Sequence, residues 1–113
     1  MNIEATVINY LQTALGIDAV YAEVPETPEE EYYVVDKTGG GMTNRIKSST
    51  IAVQTYGPSK LRASEMNEDV KVAMDGFSAL DEIGSCRLNS DYNFSNTAKR
   101  QHRYQSVWDI THY

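Results

Sequence analysis

The chain has little positive charge and no long apolar run. Its 10 lysine and arginine residues stand against 16 aspartate and glutamate residues, for a formal net charge of -6. A surface of this sign does not gain affinity for DNA phosphates by counterion release, so tight DNA binding is disfavoured. No segment approaches the roughly 18 apolar residues that a membrane-spanning helix needs. We therefore expect a soluble protein with no membrane partner.

Cysteine is almost absent. Cys86 is the single cysteine and has no partner for an internal disulfide. The first residues carry neither the basic region nor the apolar run of a secretion signal, so synthesis in a reducing cytoplasm is expected. Cys86 shares its strand parity with Leu88 and Tyr92, which predicts a buried structural thiol rather than a reactive thiolate.

Groups that could do chemistry are also sparse. The two histidines, His102 and His112, lie ten residues apart and belong to no zinc-binding pattern. The glycines 39–41 precede Met42, where a phosphate-binding loop would continue with Gly-Lys-Ser/Thr. We predict no catalytic residue, no cofactor-binding residue and no metal site.

The chain does contain enough apolar sequence for one core. With 113 residues, of which 41% are hydrophobic, it is predicted to form a single α+β domain over residues 1–113. Its eight tyrosines suit half-buried strands or surfaces that meet a partner, because tyrosine has an apolar body and a polar tip.

Two amphipathic helices follow from the spacing of apolar residues. The first is predicted from Asn2, a suitable N-cap, to Gly16, a suitable stop. The second is predicted after Ser59, where Gly57 and Pro58 end a strand. Its apolar stripe is predicted to comprise Leu61, Met66, Val70, Ala73, Met74 and Phe77.

Strands are indicated by β-branched and aromatic residues over 19–24, 32–37, 49–56, 82–92 and 103–112. Residues 25–31 are predicted to be a solvated loop. Gly39, Gly40 and Gly41 predict a long flexible connection between two strands, which could order against a partner or simply be mobile. Short connections favour antiparallel neighbours, so we predict an α+β fold: a mixed, mainly antiparallel sheet of four to five strands with two helices packed on one face.

Charge is distributed unevenly along the chain. An acidic stretch, defined as Glu23, Glu26, Glu29, Glu30 and Glu31, precedes the second predicted strand, which begins at Tyr32. Lys99, Arg100, His102 and Arg103 gather around the last predicted hairpin. If these groups lie on different flanks, a head-to-tail contact between copies would join them, and such contacts can close into rings. The alternative is an ordinary solvated loop and an incidental basic hairpin.

A family resemblance rests on three segments. Residues 53–59 (VQTYGPS) lead into the helix through Glu65, Val70, Met74 and Phe77, and residues 103–110 (RYQSVWDI) form a closing strand. In these segments and in the order of elements, the chain resembles the tail terminator, or tail completion, proteins of long-tailed bacteriophages. The resemblance covers most of the chain.

The resemblance implies a structural virion protein of the tail-neck region, made in the host cytoplasm. It implies a homohexameric ring that sits on the tube of the major tail tube protein, stops its polymerisation and offers a joining surface to a head-completion or neck protein. DNA would pass through the acidic lumen without specific binding. No catalytic residue is implied.

The residues predicted to make subunit or partner contacts lie in the glycine connection and the last hairpin. They are Gly39, Gly40, Gly41, Met42, Arg45, Lys99, Arg100 and Arg103. Two alternatives remain open. One is another head-tail connector component, such as a stopper or adaptor at the portal, and the other is a small ligand-binding or enzymatic α+β domain.

Overall fold

The computed structural model describes residues 1–99 and 101–113. Its elements, in chain order, are α1 (Ile3–Leu15), β1 (Val20–Tyr21), β2 (Tyr32–Thr43), β3 (Ile46–Gly57), α2 (Lys60–Asp75), a short 3-10 turn (Phe77–Ala79), β4 (Ile83–Asn93) and β5 (His102–His112). The strands form a five-stranded sheet in the order β1-β2-β3-β5-β4. Only the β1–β2 pairing is parallel within the described residues. The predicted α+β class is confirmed.

Both helices begin where the local sequence predicts, and α1 also ends there, whereas α2 ends at Asp75, so that Phe77 lies in the 3-10 turn and not in α2 as predicted. The Oδ1 atom of Asn2 accepts a hydrogen bond from the Ala5 amide at 3.1 Å, and Gly16 ends α1 in the left-handed region at φ 65°. The Oγ atom of Ser59 accepts from the Arg62 amide at 3.1 Å and starts α2. Side chains therefore satisfy amide groups at the first turns that the helices themselves leave unpaired.

The core lies between the helices and one face of the sheet. Val7 and Leu11 of α1 and Met66, Val70 and Met74 of α2 are buried in one cluster with the sheet. The sheet contributes Tyr33, Val35, Ile51, Val53, Trp108 and Ile110 to that cluster. These strand residues alternate along β2, β3 and β5, so the two-residue period of the sequence does place one face inward.

Leu61 is an exception to the predicted stripe of α2. Its side chain is 73% exposed, whereas Met66, Val70, Met74 and Phe77 are buried and Ala73 is partly buried. The assignment of Leu61 to the core side was wrong. Leu61 lies in the first turn of α2, on the side that it shares with the exposed Glu65 and Val72.

The glycine segment is part of the ladder and is not a loop. Gly39, Gly40 and Gly41 lie in β2 and pair with Thr50, Ser49 and Ser48 of β3. The predicted flexible connection is wrong at this position, because pairing continues to Thr43 and Ile46. Asn44 and Arg45 close the hairpin with φ 51° and 68°, the pair of positive values that a two-residue type I′ turn requires.

The first predicted strand is also shorter than expected. Pairing with β2 is restricted to Val20 and Tyr21, opposite Tyr33 and Val34. The predicted strand over 19–24 therefore reduces to two residues. The final two predicted strands are confirmed, since β4 and β5 pair from Ile83 and His112 to Asn93 and Tyr104.

Candidate interaction surfaces

The hairpin formed by the outer halves of β2 and β3 is exposed along its length, from residue 36 to residue 48. We define the hairpin arm as residues 38–47. Met42 is 68% exposed and Ile46 is 45% exposed, on either side of the turn. The twelve residues of β2 span about 40 Å at roughly 3.3 Å each, close to the 44 Å long axis of the described chain. The arm thus forms one end of an elongated molecule.

The tip of the arm is basic. Arg45 lies in the turn itself and Lys47 pairs with Met42 across the ladder. Among residues 1–99 and 101–113, neither cation forms an ion pair. The arm therefore combines exposed apolar side chains with positive charge. The sequence analysis predicted Met42 and Arg45 as contact residues and did not include Ile46 and Lys47, which are also exposed at this end of the arm.

The acidic stretch lies at the opposite end of β2, since Glu31 immediately precedes Tyr32. Glu31 is held by Arg62, whose Nε lies 2.6 Å from Oε2, and this hydrogen bond lowers the pKa of the Glu31 carboxyl. Glu29 accepts a hydrogen bond from the hydroxyl of Tyr21 at 2.7 Å. Two of the five glutamates are thus bound to the rest of the fold.

The basic hairpin between β4 and β5 lies at this same end. Lys99 lines a shallow hollow with Tyr32, Tyr56, Gly57 and His102. The acidic stretch and Lys99 are therefore near neighbours along the long axis of the molecule and do not mark its two ends. Arg100, which was predicted to make contacts, lies outside the described residues.

Arg103 is largely used within its own chain. Its Nε donates to the carbonyl of Phe94 at 2.7 Å, and its Nη1 donates to the hydroxyl of Tyr56 at 3.1 Å. The guanidinium carbon lies 4.3 Å from the centre of the Phe94 ring. Through these contacts Arg103 connects Tyr56 of β3 to Phe94, which follows the end of β4, and so stabilises this end of the sheet.

An aromatic row accounts for several of the tyrosines. It crosses the face of the sheet that is opposite the helices. Tyr32 and Tyr56 stack with ring centres 4.4 Å apart and planes within 5° of parallel, and Tyr21 packs on Tyr32. The hydroxyl of Tyr56 donates to Gln54, which in turn donates to Gln105 at 3.0 Å. Tyr32 and Tyr56 are buried, so this row stabilises the sheet and offers little ring surface to a partner.

The helix layer carries a surface that the sequence did not reveal. We define the α2 stripe as Leu61, Glu65, Asp69 and Val72, which share one exposed line of the helix. Leu61 is 73% exposed and Val72 is 77% exposed. Beside the stripe lies a hollow of about 310 Å³, here called the α1–α2 hollow. It is lined by Ala14, Leu15, Asp69, Val72 and Ala73.

Cys86 and His112 are packed separately within the fold and do not lie together in one site. Cys86 is half-buried against the core, less completely than predicted, and burial raises the pKa of its thiol to about 11. His112 is buried, with Nε2 2.8 Å from the Oγ atom of Ser49, and burial lowers the pKa of its imidazole. Within residues 1–99 and 101–113, no three His, Cys, Asp or Glu side chains are grouped so as to hold a metal ion.

No helix in the described part of the chain is both long enough and apolar enough to span a bilayer. No protein-family model matches the chain, and no curated protein matches its sequence significantly.

Proposed function

We propose that this chain is a structural subunit that forms a ring at the head-proximal end of a bacteriophage tail tube, stops tube growth and presents the surface to which the head is joined. The observation that carries the proposal is the hairpin arm. An ordered arm that ends in exposed Met42 and Ile46 is a surface that gains free energy when a partner covers it. Covering one such side chain completely is worth about 1.5–3 kcal/mol.

The way in which the arm is built supports a role in contact. Pairing from Gly39 to Thr43 holds the arm extended before any partner arrives. Arg45 occupies the second position of the turn at φ 68°, where glycine is preferred. A left-handed residue other than glycine costs roughly 1–2 kcal/mol, so the fold tolerates strain while placing a positive charge at the tip.

One edge of the sheet is poorly suited to joining copies strand to strand. Register shifts interrupt β4 between Ile83 and Ser85 and between Leu88 and Ser90, and bulges of this kind obstruct edge pairing. On the other edge, β1 pairs with β2 only at Tyr33 and Val34, and the carboxylate of Glu4 accepts the amide of Lys37 at 3.2 Å.

The segments that carry the family resemblance lie next to one another, around the point where β3 leads into α2. Gly57 ends β3 where the chain turns into α2, and a Cβ atom there would lie 2.9 Å from the Ala63 amide nitrogen. Ser59 then caps the helix. Residues 53–59 thus form a compact strand-to-helix corner, and β5, which contains residues 103–110, pairs directly with this strand.

Stopping a polymer requires no reaction. A terminator needs one face that binds the tip of the growing tube and another that lacks the next binding surface. The formal charge of -6 on each copy would give a ring whose lumen repels DNA phosphates, so DNA could pass without being retained.

The test is a tube-capping experiment with the major tail tube protein of the parent phage. Tubes grown in the presence of the purified chain should be shorter in negative-stain electron microscopy and should carry a ring at one end. A pull-down against the portal protein discriminates the portal stopper or adaptor. Binding to the portal without binding to the tube end would replace the proposal, and binding to neither would refute it.

A further inference from the structure

We propose that the hairpin arm of one copy docks into the α1–α2 hollow of a neighbouring copy, with Met42 entering the hollow and the basic tip facing the α2 stripe. The inference rests on the proposed assembly function and names the surfaces that would join the subunits. Both surfaces belong to the same chain, and both are exposed.

The apolar parts match. Met42 lies on the same face of the arm as Lys47, its cross-strand partner, whereas Ile46 pairs with Thr43 and lies on the opposite face. Met42 alone therefore enters the hollow, and methionine is a flexible side chain that fills irregular apolar gaps. The hollow offers Leu15, Ala73 and Val72 as its apolar lining. Val72 is among the most exposed large apolar side chains of the described residues, and docking would remove it from water.

The charges also match. Arg45 and Lys47 are the cations of the tip. The α2 stripe carries Asp69, which lines the hollow, and Glu65, which lies one turn earlier on the same exposed line of the helix. In the described part of the chain, neither of these acids forms an ion pair. Lys71, the cation nearest in sequence to Asp69, is already paired with Glu68 at 2.8 Å and Asp91 at 2.6 Å. Arg62, the cation nearest in sequence to Glu65, is paired with Glu31 at 2.6 Å. The stripe therefore retains its negative charge, and opposite charges steer two surfaces into register.

The placement of the surfaces makes the contact heterologous. The arm extends one end of the sheet, whereas the hollow lies between the two helices. Each copy would donate an arm to one neighbour and receive an arm from the other. Such contacts close into rings when the rotation between copies allows it. A second copy is favoured as the occupant because one sequence supplies both halves of the apolar and charged match.

The first experiment exchanges the charges. One variant carries Arg45→Asp and Lys47→Glu, and a second carries Glu65→Lys and Asp69→Lys. Aspartate is chosen at position 45 because it tolerates the positive φ of the turn. Each variant alone should assemble at least roughly tenfold more weakly than the original chain in native mass spectrometry, because like charges would face one another.

Mixing the two variants in equal amounts should restore assembly, with the two chains alternating. Each arm would then meet a stripe of opposite charge. Circular dichroism of each variant checks that the fold is retained. Folded variants that assemble as the original chain does would overturn the inference, and so would a mixture that fails to recover when the separate variants are impaired.

The second experiment detects the contact even when it is weak. In a Cys86→Ser background, a chain with Met42→Cys is mixed with a chain with Val72→Cys under mild oxidation. The mixed disulfide should exceed several-fold that formed with a control chain carrying Asn89→Cys, an exposed position on β4. No excess over this control would refute the arm-to-hollow contact.

The two proposals fail in different ways. If the chain caps tail tubes while both experiments give negative results, the ring forms through other surfaces and the assembly function stands. If both experiments are positive and no tube is capped, the chain self-assembles through the arm for another purpose.

Discussion

Replacing Arg103 with alanine should lower the stability of the fold, because its guanidinium joins β3 to the end of β4. The change removes a charge-assisted hydrogen bond to the Phe94 carbonyl and a hydrogen bond to the Tyr56 hydroxyl. It also removes the stacking of the cation on the Phe94 ring at 4.3 Å. Arg103 is only partly buried, so each contribution is taken at the low end of its usual range.

The expected loss is about 2 kcal/mol. The part-buried hydrogen bond to Tyr56 contributes roughly 1.5 kcal/mol at its lower limit, and an exposed cation–π contact adds roughly 0.5–1 kcal/mol. The hydrogen bond to the Phe94 carbonyl is exposed, so water replaces it and it adds little to the sum. For a chain of 113 residues, a change of this size lowers the midpoint of thermal unfolding by about 6–10 °C. Arg103→Lys should recover little of the loss, because an ammonium group lacks the planar fork that reaches both acceptors.

Urea denaturation followed by circular dichroism measures the effect, and Lys99→Ala is the matched control. Lys99 is an exposed cation of the same hairpin, and the hydrogen bond that it donates to Asn96 comes from its backbone amide, which alanine retains. Its removal should change stability by less than about 0.5 kcal/mol. If Arg103→Ala is as mild as Lys99→Ala, the supporting role of Arg103 is refuted and its original assignment as a free contact residue is favoured.

Two further changes test the fold. Gly57→Ala should destabilise the protein by at least about 1 kcal/mol in urea denaturation, because its Cβ would lie 2.9 Å from the Ala63 backbone. Gly39→Ala, whose Cβ meets nothing nearer than 3.8 Å, should be tolerated, and equal effects would contradict this packing. Lowering the pH should reduce stability below about pH 6.5, because the burial that lowers the pKa of His112 leaves the folded state less protonated than the unfolded state. His112→Asn should flatten that part of the pH profile, and an unchanged slope would show that other groups cause it.

The tests of assembly are independent of these stability measurements. Tube capping tests the proposed function, and the charge exchange and the disulfide trap test the docking of the arm. Since Arg103 supports the fold, a loss of assembly in Arg103→Ala would not by itself identify an interface. The Lys99→Ala variant and the Arg45 variants test whether these basic residues contribute to an interface between copies.

The sequence by itself determined the elements whose cause is local. Asn2 and Ser59 cap their helices with their own side chains, and Gly16 ends α1 because it reaches the left-handed region without strain. Buried apolar residues alternate along β3 and β5, at Ile51 and Val53 and at Trp108 and Ile110, because neighbouring strand residues point to opposite sides. These features predicted the α+β class and both helices.

Tertiary structure decided what depends on distant partners. The three glycines are favoured in loops by their own propensity, yet they lie in β2 because Ser48, Ser49 and Thr50 complete their ladder. Tertiary structure also decided the exposure of Leu61, because that exposure depends on which side of α2 packs against the sheet.

Surface charge was the least predictable feature. The acidic stretch and Lys99 lie at one end of the molecule, Arg103 is used internally, and the basic tip of the arm lies at the other end. The positions of charged residues along the sequence do not show which of them lie at the same end of the molecule. Strand pairing decides this, because it brings together residues that are far apart in sequence. Local caps and periodicity thus determined the elements, whereas long-range pairing decided which side chains were left for a partner.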